Sequence, residues 1–217
     1  MLRKIDRNIW VSERQFQFFG LEVGTRMTVI RLGNGELIVI SPIDVDEITI
    51  QQINELGNVT TIIAPNCYHY LFLASFQSIY PKAKIWTAPG LDAKIPTLTI
   101  DRILNDRGTI GNLDEIEYFL FAGFQTIGIG GSGILNEIVF WHRESQSVIL
   151  TDTAFHFDTS FPWQTRLVAR IVGGDRALEP TILEKIACRD KEQVKRSIQH
   201  VLCWDFHRVI MAHGSIL

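Results

Sequence analysis

Apolar positions near the N-terminus follow two short runs, residues 26–32 and 36–41, that are typical of β-strands. The tripeptide Gly-Asn-Gly at 33–35 separates them, and these residue types tolerate the positive φ angles of a tight turn. The pattern therefore predicts a β-hairpin. Residues 8–11 are also largely apolar and predict a further strand before the hairpin.

Helical and strand patterns alternate in the next part of the chain. Residues 46–56 carry isoleucine and leucine at helical spacing, and Gly57 is a typical residue for the end of a helix. Residues 59–64 form a β-branched run that predicts a buried strand. A second helix and a second strand follow, over 71–80 and 84–87. This alternation is typical of an α/β fold.

The second half of the chain is richer in strands than in helices. Apolar runs predict strands at 116–121, 124–129, 137–141, 148–151 and 208–212. Apolar residues at helical spacing extend from 178 to 202. No repeat or Pro/Gly/Ser-rich linker interrupts the sequence, so we expect a single domain over 1–217, with two sheets between layers of helices.

Composition and charge exclude several classes of partner. The 217 residues include 21 Lys and Arg against 24 Asp and Glu, a formal net charge of −3, whereas nucleic-acid-binding proteins are usually basic. No apolar run approaches the roughly 20 residues of a membrane helix, and the N-terminal residues lack the apolar stretch of a secretory signal. Three cysteines without C-x-x-C spacing predict reduced thiols. We therefore expect a cytoplasmic protein with neither a nucleic-acid nor a membrane partner.

Three predicted strands end in residues that suit a metal site. His69 follows the strand over 59–64, Asp152 ends the strand over 148–151, and His213 ends the strand over 208–212. Residues after apolar strands lie at the rim of a sheet, and imidazole nitrogen and carboxylate oxygen are ligands for zinc, iron or manganese. Each residue has an ordinary alternative, because a histidine can be a polar rim residue and an aspartate can cap the next helix.

Two of these strand ends resemble motifs of the metallo-β-lactamase fold superfamily. The sequence T-D-T-A-F around Asp152 is similar to the superfamily's fourth motif, and A-H-G around His213 is similar to its fifth. The resemblance extends from the Gly-Asn-Gly hairpin to Gly214 and implies a four-layer αββα sandwich. It also implies that the aspartate bridges two metals and that the late histidine binds the second.

The sequence departs from the superfamily at its first metal motif, T-H-x-H-x-D-H. Residues 64–70 read A-P-N-C-Y-H-Y, so Pro65 and Cys67 stand where the two leading histidines belong, and His69 stands at the aspartate position. The region of the third motif, residues 127–137, contains no histidine. The chain thus resembles a degenerate branch, a domain of unknown function with altered metal motifs.

The resemblance and the departures together imply a reduced, mononuclear site. His69, Asp152 and His213 would hold one zinc, iron or manganese ion, and Asp152 would be the catalytic residue. A water on that ion would attack a small-molecule ester, lactone or similar carbonyl, which makes the protein a metal-dependent hydrolase. Asn66, Cys67 and His156 are candidates for additional site residues, with a small apolar residue below the site as the other interpretation of Cys67.

Two alternatives from other classes remain open. One is a non-catalytic relative that holds no metal and binds a ligand or partner in the former cleft. The other is an enzyme that uses Cys67 with His69 and needs no metal. Aromatic residues at 155–163 would wall an apolar pocket or fill the core, and Phe16, Phe18 and Phe19 would form a lid or a contact in a homo-oligomer. The glycine-rich stretch from Gly128 to Gly133 is interpreted as a backbone loop over the site.

Overall fold

Two β-sheets face each other in the structure, a computed structural model that describes residues 1–128, 131–134, 136–175 and 177–217. Strands are numbered in chain order. The larger sheet has, from edge to edge, β1 (Leu2–Asp6), β2 (Ile9–Arg14), β5 (Thr25–Arg31), β6 (Glu36–Ile40), β7 (Asn58–Ala64), β8 (Lys84–Thr87) and β9 (Arg102–Ile103). The smaller sheet has β10 (Arg107–Ile110), β11 (Ile116–Phe121), β14 (Glu137–His142), β15 (Ser147–Leu150) and β16 (Arg208–Met211).

Two hairpins and the helices complete the described part of the fold. The hairpins are β3 (Gln17–Phe18) with β4 (Leu21–Glu22), and β12 (Gln125–Gly128) with β13 (Gly131–Ile134). The helices are α1 (Glu47–Leu56), α2 (Leu73–Ile79), α3 (Leu91–Lys94), α4 (Trp163–Val172), α5 (Ile182–Ala187) and α6 (Lys191–Val201). Within the described ranges, none of them has the length and apolar character that crossing a bilayer requires.

Alternation along the strands divides the apolar residues between an inner core and two outer ones. On β6, Ile38 and Ile40 point into the cluster between the sheets, whereas Leu37 and Val39 point to the other face. That other face packs on α1 and α2, and the outer face of the smaller sheet packs on α6. The predicted four-layer αββα sandwich is therefore confirmed.

Several sequence-predicted elements appear with their expected bounds. The 33–35 turn joins β5 and β6, and β7 and β8 follow as predicted. Asp46 accepts a hydrogen bond from the Thr49 backbone N–H at 2.8 Å, which begins α1, and Gly57 ends it. Strands β6, β7 and β8 run parallel, so the residues that follow them lie at one edge of the larger sheet.

Three segments differ from the sequence-based prediction. The helical pattern over 178–202 is two helices, because the chain breaks after α5 and Asp190 caps α6 through the Gln193 N–H. The stretch interpreted as a glycine-rich loop pairs as β12 and β13, and its positions 129 and 130 lie outside the described residues. Trp163 begins α4 and is 67% exposed, so it does not fill the core, and it does not line the cavity described below.

Candidate metal centre

The structure brings His69, Asp152 and His213 together. Strands β15 and β16 run parallel, so Asp152 and His213 leave the same edge of the smaller sheet, and His69 reaches them from the loop after β7 in the larger sheet. The ligand atoms of the three side chains lie within 4.8 Å of one another. The Asp152 carboxylate lies between the imidazoles, with its oxygens 3.3 Å from His69 Nε2 and 3.6 Å from His213 Nε2.

Both imidazoles are held by their Nδ1 atoms, which leaves Nε2 directed at Asp152. His69 Nδ1 lies 2.7 Å from Ser41 Oγ, and His213 Nδ1 donates to the carbonyl oxygen of Gly24. Because a carbonyl only accepts, the proton of a neutral His213 sits on Nδ1 and the lone pair sits on Nε2. Metal-binding histidines in proteins are typically oriented in this way, by a hydrogen bond from the nitrogen that does not ligate.

Burial and the two neighbouring charges set the protonation of the cluster. Burial lowers the pKa of His213 and keeps its imidazole neutral. Burial also works against a charged His69, but the Asp152 carboxylate outweighs it and raises the pKa of that imidazole. Burial alone would raise the pKa of Asp152, and His69, His213 and Asn66 together hold it below its usual range. Asp152 is therefore an anion that is available as a ligand.

Asn66, one of the candidate additional residues, links the His69 loop to Asp152. Its Nδ2 atom donates to Asp152 Oδ2 at 2.7 Å and to Thr151 Oγ1 at 3.0 Å. Its Oδ1 atom accepts the backbone N–H groups of Tyr68 and His69, each at 2.8 Å. The side chain is fully buried, at 0% exposure. Asn66 thus positions the ends of two strands from different sheets.

Glu137 supports Asp152 from below and was missed by sequence reasoning. Its carboxylate accepts the backbone N–H of Asp152 at 2.6 Å, and the N–H and hydroxyl of Thr151 at 3.2 and 2.7 Å. Burial, reinforced by the nearby Asp152 charge, raises the pKa of Glu137. The available sequence signal was an acidic residue at the start of the otherwise apolar strand E-I-V-F-W.

Arg26 supports the His213 end of the site and was also missed. The guanidinium of this buried residue on β5 donates to the Gly214 carbonyl at 2.8 Å and to the Met211 carbonyl. Its Nε donates to Glu13 at 2.8 Å, which balances the buried charge. Arg26 therefore fixes the backbone on both sides of His213.

Cys67 and His156 lie outside the cluster of ligand atoms in the described part of the chain. Cys67 is buried in the same hydrophobic cluster as Leu73 and Leu91, and its Sγ lies 3.6 Å from the Pro89 carbonyl oxygen. Burial raises the pKa of its thiol, so it is a poor nucleophile, and its surroundings match the interpretation as a small apolar residue below the site. His156 contacts the C-terminal loop through its backbone carbonyl, which accepts the Ser215 N–H at 2.7 Å.

A cavity of about 540 Å³ opens over the cluster. The imidazole of His213 stacks against the rings of Phe16 and Phe155, with centroids 5.9 and 6.4 Å apart. Phe18 and Phe157 also line the cavity, whereas Phe161 packs behind Phe157 at 5.1 Å. Of the predicted group, Phe16 and Phe18 therefore supply part of the cavity wall, whereas Phe19 is 88% exposed and does not line the cavity.

We expect Ser41→Ala to weaken metal binding about tenfold, because its hydroxyl orients His69 and such outer hydrogen bonds are typically worth 10–100-fold in affinity. Zinc titration against a chromophoric chelator measures this. Ser12→Ala is the control, since Ser12 is equally buried on β2 and is not part of the cluster. Equal zinc affinities for the two variants would contradict the role assigned to Ser41.

Gly214→Ala is expected to destabilise the fold and displace His213. Gly214 has φ +93°, and an added Cβ would lie 2.4 Å from the His156 carbonyl oxygen. Gly20→Ala is the matched control, because Gly20 has φ +77° with nothing within 4 Å. The control carries only the backbone strain of about 1–3 kcal/mol, and Gly214→Ala should exceed it by at least ~1 kcal/mol in urea unfolding. Equal losses in the two variants would show that the His156 contact is unimportant.

Comparison with solved structures places the fold among metallo-β-lactamases. The DIM-1 metallo-β-lactamase superposes with a TM-score of 0.66 at 15% identity, over 100% of this chain and 90% of that chain. The Pontibacter korlensis metallo-β-lactamase gives 0.65 at 12% identity, over 100% and 92%. FIM-1 from Pseudomonas aeruginosa, in its mono-zinc form, gives 0.66 at 10% identity, over 100% and 88%.

The architecture is the metallo-β-lactamase fold. Because the sequence identities are so low, the similarity shows a shared fold alone. Within that class, the chain belongs to the family described as Domain of unknown function (DUF4336), whose match covers residues 6–171. No curated protein matches the sequence. The expected resemblance to a domain of unknown function with this fold is confirmed.

Proposed function

We propose that the protein is a metal-dependent hydrolase that acts on a small-molecule ester, lactone or similar carbonyl through one metal ion. His69, Asp152 and His213 would hold the ion. The observation that carries the proposal is the pair of Nδ1 hydrogen bonds, to Ser41 and to the Gly24 carbonyl, which present both Nε2 atoms to the same carboxylate. Among the structural neighbours, FIM-1 is described in a mono-zinc form.

The donor set fits a zinc, iron or manganese ion. Imidazole nitrogen, a borderline ligand, and carboxylate oxygen, a hard ligand, are both accepted by these metals, and here they are pre-oriented by Ser41, Gly24 and Asn66. Three protein ligands leave a coordination position for water or substrate. When bound, such an ion supplies a Lewis acid and lowers the pKa of water towards about 7.

The chain's own residues would bind and shield the reacting group. Asp152 supplies the negative charge of the site, and Asn66 holds its Oδ2 atom while its Oδ1 atom lies 3.6 Å from His213 Nε2. Phe16 and Phe155 flank His213 and exclude water from one side of the cluster. His69 and His213 keep their orientation without an ion, because both Nδ1 atoms already have partners.

Elemental analysis of protein purified without chelator or His-tag tests the proposal. We expect near-stoichiometric zinc, iron or manganese, which His213→Ala reduces and which Asp205→Ala, at an exposed position away from the cluster, leaves unchanged. The metal-loaded protein should then hydrolyse members of an ester and lactone panel. A protein that takes up no metal on reconstitution, or that is loaded and hydrolyses none of the panel, would overturn it.

A second candidate is a non-catalytic relative that binds a ligand in the cavity. It is favoured by the contacts of Asp152, which accepts a hydrogen bond from Asn66 and lies 3.3 Å from Nε2 of His69, an imidazole whose pKa this carboxylate raises. These contacts balance the carboxylate without an ion. Absence of metal together with saturable binding of a small molecule would select this candidate.

A further inference from the structure

We propose that the ligand of the cavity is an amphiphile, with a small polar head at the His69–Asp152–His213 cluster and a medium-length alkyl chain along the apolar walls. Only the assignment of the head to an ester or lactone rests on the proposed hydrolase function. The alkyl chain of the ligand is inferred from the apolar residues that line the cavity. This inference does not depend on what binds or reacts at the cluster.

One wall of the cavity is aromatic. Phe16 directly precedes the β3–β4 hairpin and Phe18 is part of it, and Phe155 and Phe157 come from the segment after Asp152. Phe155 and Phe157 stack with an interplanar angle of 6° and centroids 6.2 Å apart. These rings provide apolar surface next to the cluster, because the Phe155 ring centroid lies 6.4 Å from that of His213.

A second group of lining residues belongs to α5 and includes two large aliphatic side chains. Leu183 and Ile186 line the cavity, yet they are 58% and 62% exposed. Glu184 and Ala187, the buried residues of α5, line the same cavity. Two large aliphatic side chains that cover no core but border a cavity provide surface that an apolar ligand can bury. Leu71, 61% exposed, extends the same lining.

Two polar side chains in the walls, Lys94 and Glu184, have partners within the protein. Lys94 donates to the Cys67 carbonyl at 2.6 Å and lies over the rings of Tyr68 and Tyr70, 4.4 and 4.8 Å from their centroids. Glu184 accepts the N–H and hydroxyl of Thr181. Phenylalanine, leucine and isoleucine side chains make up much of the remaining lining, and an alkyl chain can pack on them without forming any hydrogen bond.

Binding of linear alkan-1-ols directly tests whether the cavity accepts an alkyl chain, because these probes are neutral and need no metal. Their displacement of 1-anilinonaphthalene-8-sulfonate from the purified full chain gives a Kd for hexan-1-ol, octan-1-ol and decan-1-ol. Each methylene group that is buried against the apolar lining should tighten binding about fourfold. Octan-1-ol, which has two more of them, should therefore bind roughly 15-fold more tightly than hexan-1-ol.

Ile186→Ser and Ile182→Ser form the matched pair of variants. Both residues are exposed on α5, but only Ile186 lines the cavity, so both variants should fold and circular dichroism checks this. We expect Ile186→Ser to weaken octan-1-ol binding about fivefold or more and Ile182→Ser to leave it unchanged. Equal effects of the two substitutions, or a Kd that does not depend on chain length, would overturn the inference.

A second measurement separates this inference from the hydrolase proposal. With the zinc-loaded protein, kcat/KM for p-nitrophenyl octanoate should exceed that for the acetate. Chain-dependent alkanol binding without hydrolysis of either ester would remove the hydrolase function and keep the amphiphile site. Hydrolysis of both esters without chain dependence in rate or in alkanol binding would do the reverse.

Discussion

Asp152→Ala is expected to lower zinc affinity by more than about 100-fold and to abolish metal-dependent hydrolysis. The carboxylate is the one anionic ligand of the cluster and lies between the two Nε2 atoms, so its loss removes both a ligand and the charge that compensates a divalent ion. Loss of a ligand should exceed the 10–100-fold that loss of an outer hydrogen bond typically costs. Chelator-competition titration and elemental analysis measure the affinity and the stoichiometry.

Asp152→Asn sharpens this experiment, because the amide keeps the size of the side chain and removes its charge. It should lose zinc nearly as completely as the alanine variant, whereas the exposed Asp205→Ala should bind zinc like the unaltered protein. Undiminished stoichiometric zinc in both Asp152 variants would place the ion elsewhere and refute the three-ligand site.

Glu137→Ala should give the largest loss of stability among the residues around the site. Its buried carboxylate accepts hydrogen bonds from the backbone N–H groups of Thr151 and Asp152. Removing the acceptor leaves these donors unsatisfied, which costs free energy of unfolding. We expect the free energy of unfolding to fall by about 3 kcal/mol or more. Urea unfolding followed by circular dichroism measures it, and zinc affinity should fall together with the stability because Asp152 loses its support.

Glu137→Gln is the conservative partner of that variant. Its carbonyl oxygen can still accept the hydrogen bond from the Asp152 N–H. Its amide is uncharged, so the variant avoids burying the negative charge that burial disfavours in Glu137, as the raised pKa of that carboxyl group indicates. Stability should therefore be closer to that of the unaltered protein than to that of Glu137→Ala. If alanine proved as well tolerated as glutamine, the hydrogen bonds to the end of β15 would contribute nothing measurable.

Local signals in the sequence were sufficient for most of the fold. The Gly-Asn-Gly turn, the β-branched run that became β7, and Gly57 at the end of α1 act on residues close to them in the chain. Their outcomes depend on backbone conformation and alternation, which a short window contains. The order of elements indicated two sheets between helices, the resemblance around Asp152 and His213 implied the αββα sandwich, and the structure confirms it.

Helix α4 shows where apolar pattern was insufficient. Its large apolar residues Trp163, Leu167 and Ile171 face outward, at 67%, 50% and 71% exposure, and the face that packs inward carries Thr165 and Ala169. Thr165 donates its hydroxyl to the Glu22 carbonyl at 2.8 Å, a contact between residues 143 apart in sequence. A pattern that assumes large apolar residues point inward gives no correct orientation for such a helix.

Of the site, the sequence predicted the three central residues but not most of the residues that hold them in place. Strand ends predicted the three residues that converge, and their role as metal ligands stays a prediction. The residues that hold them, Ser41, Glu137 and Arg26, look like ordinary polar positions until the fold brings their partners close. Arg26 meets the Met211 and Gly214 carbonyls 185 and 188 residues along the chain, and no local spacing encodes such a contact.

The distribution of the three residues between the sheets has a thermodynamic consequence. His69 follows a strand of the larger sheet, and Asp152 and His213 follow strands of the smaller one, so an ion held by all three would fasten the two halves of the sandwich together. The separated halves would bind it far more weakly, and loading would therefore raise the melting temperature in proportion to the logarithm of the free metal concentration. Occupancy of the site would then govern how long the folded chain survives heat or proteolysis.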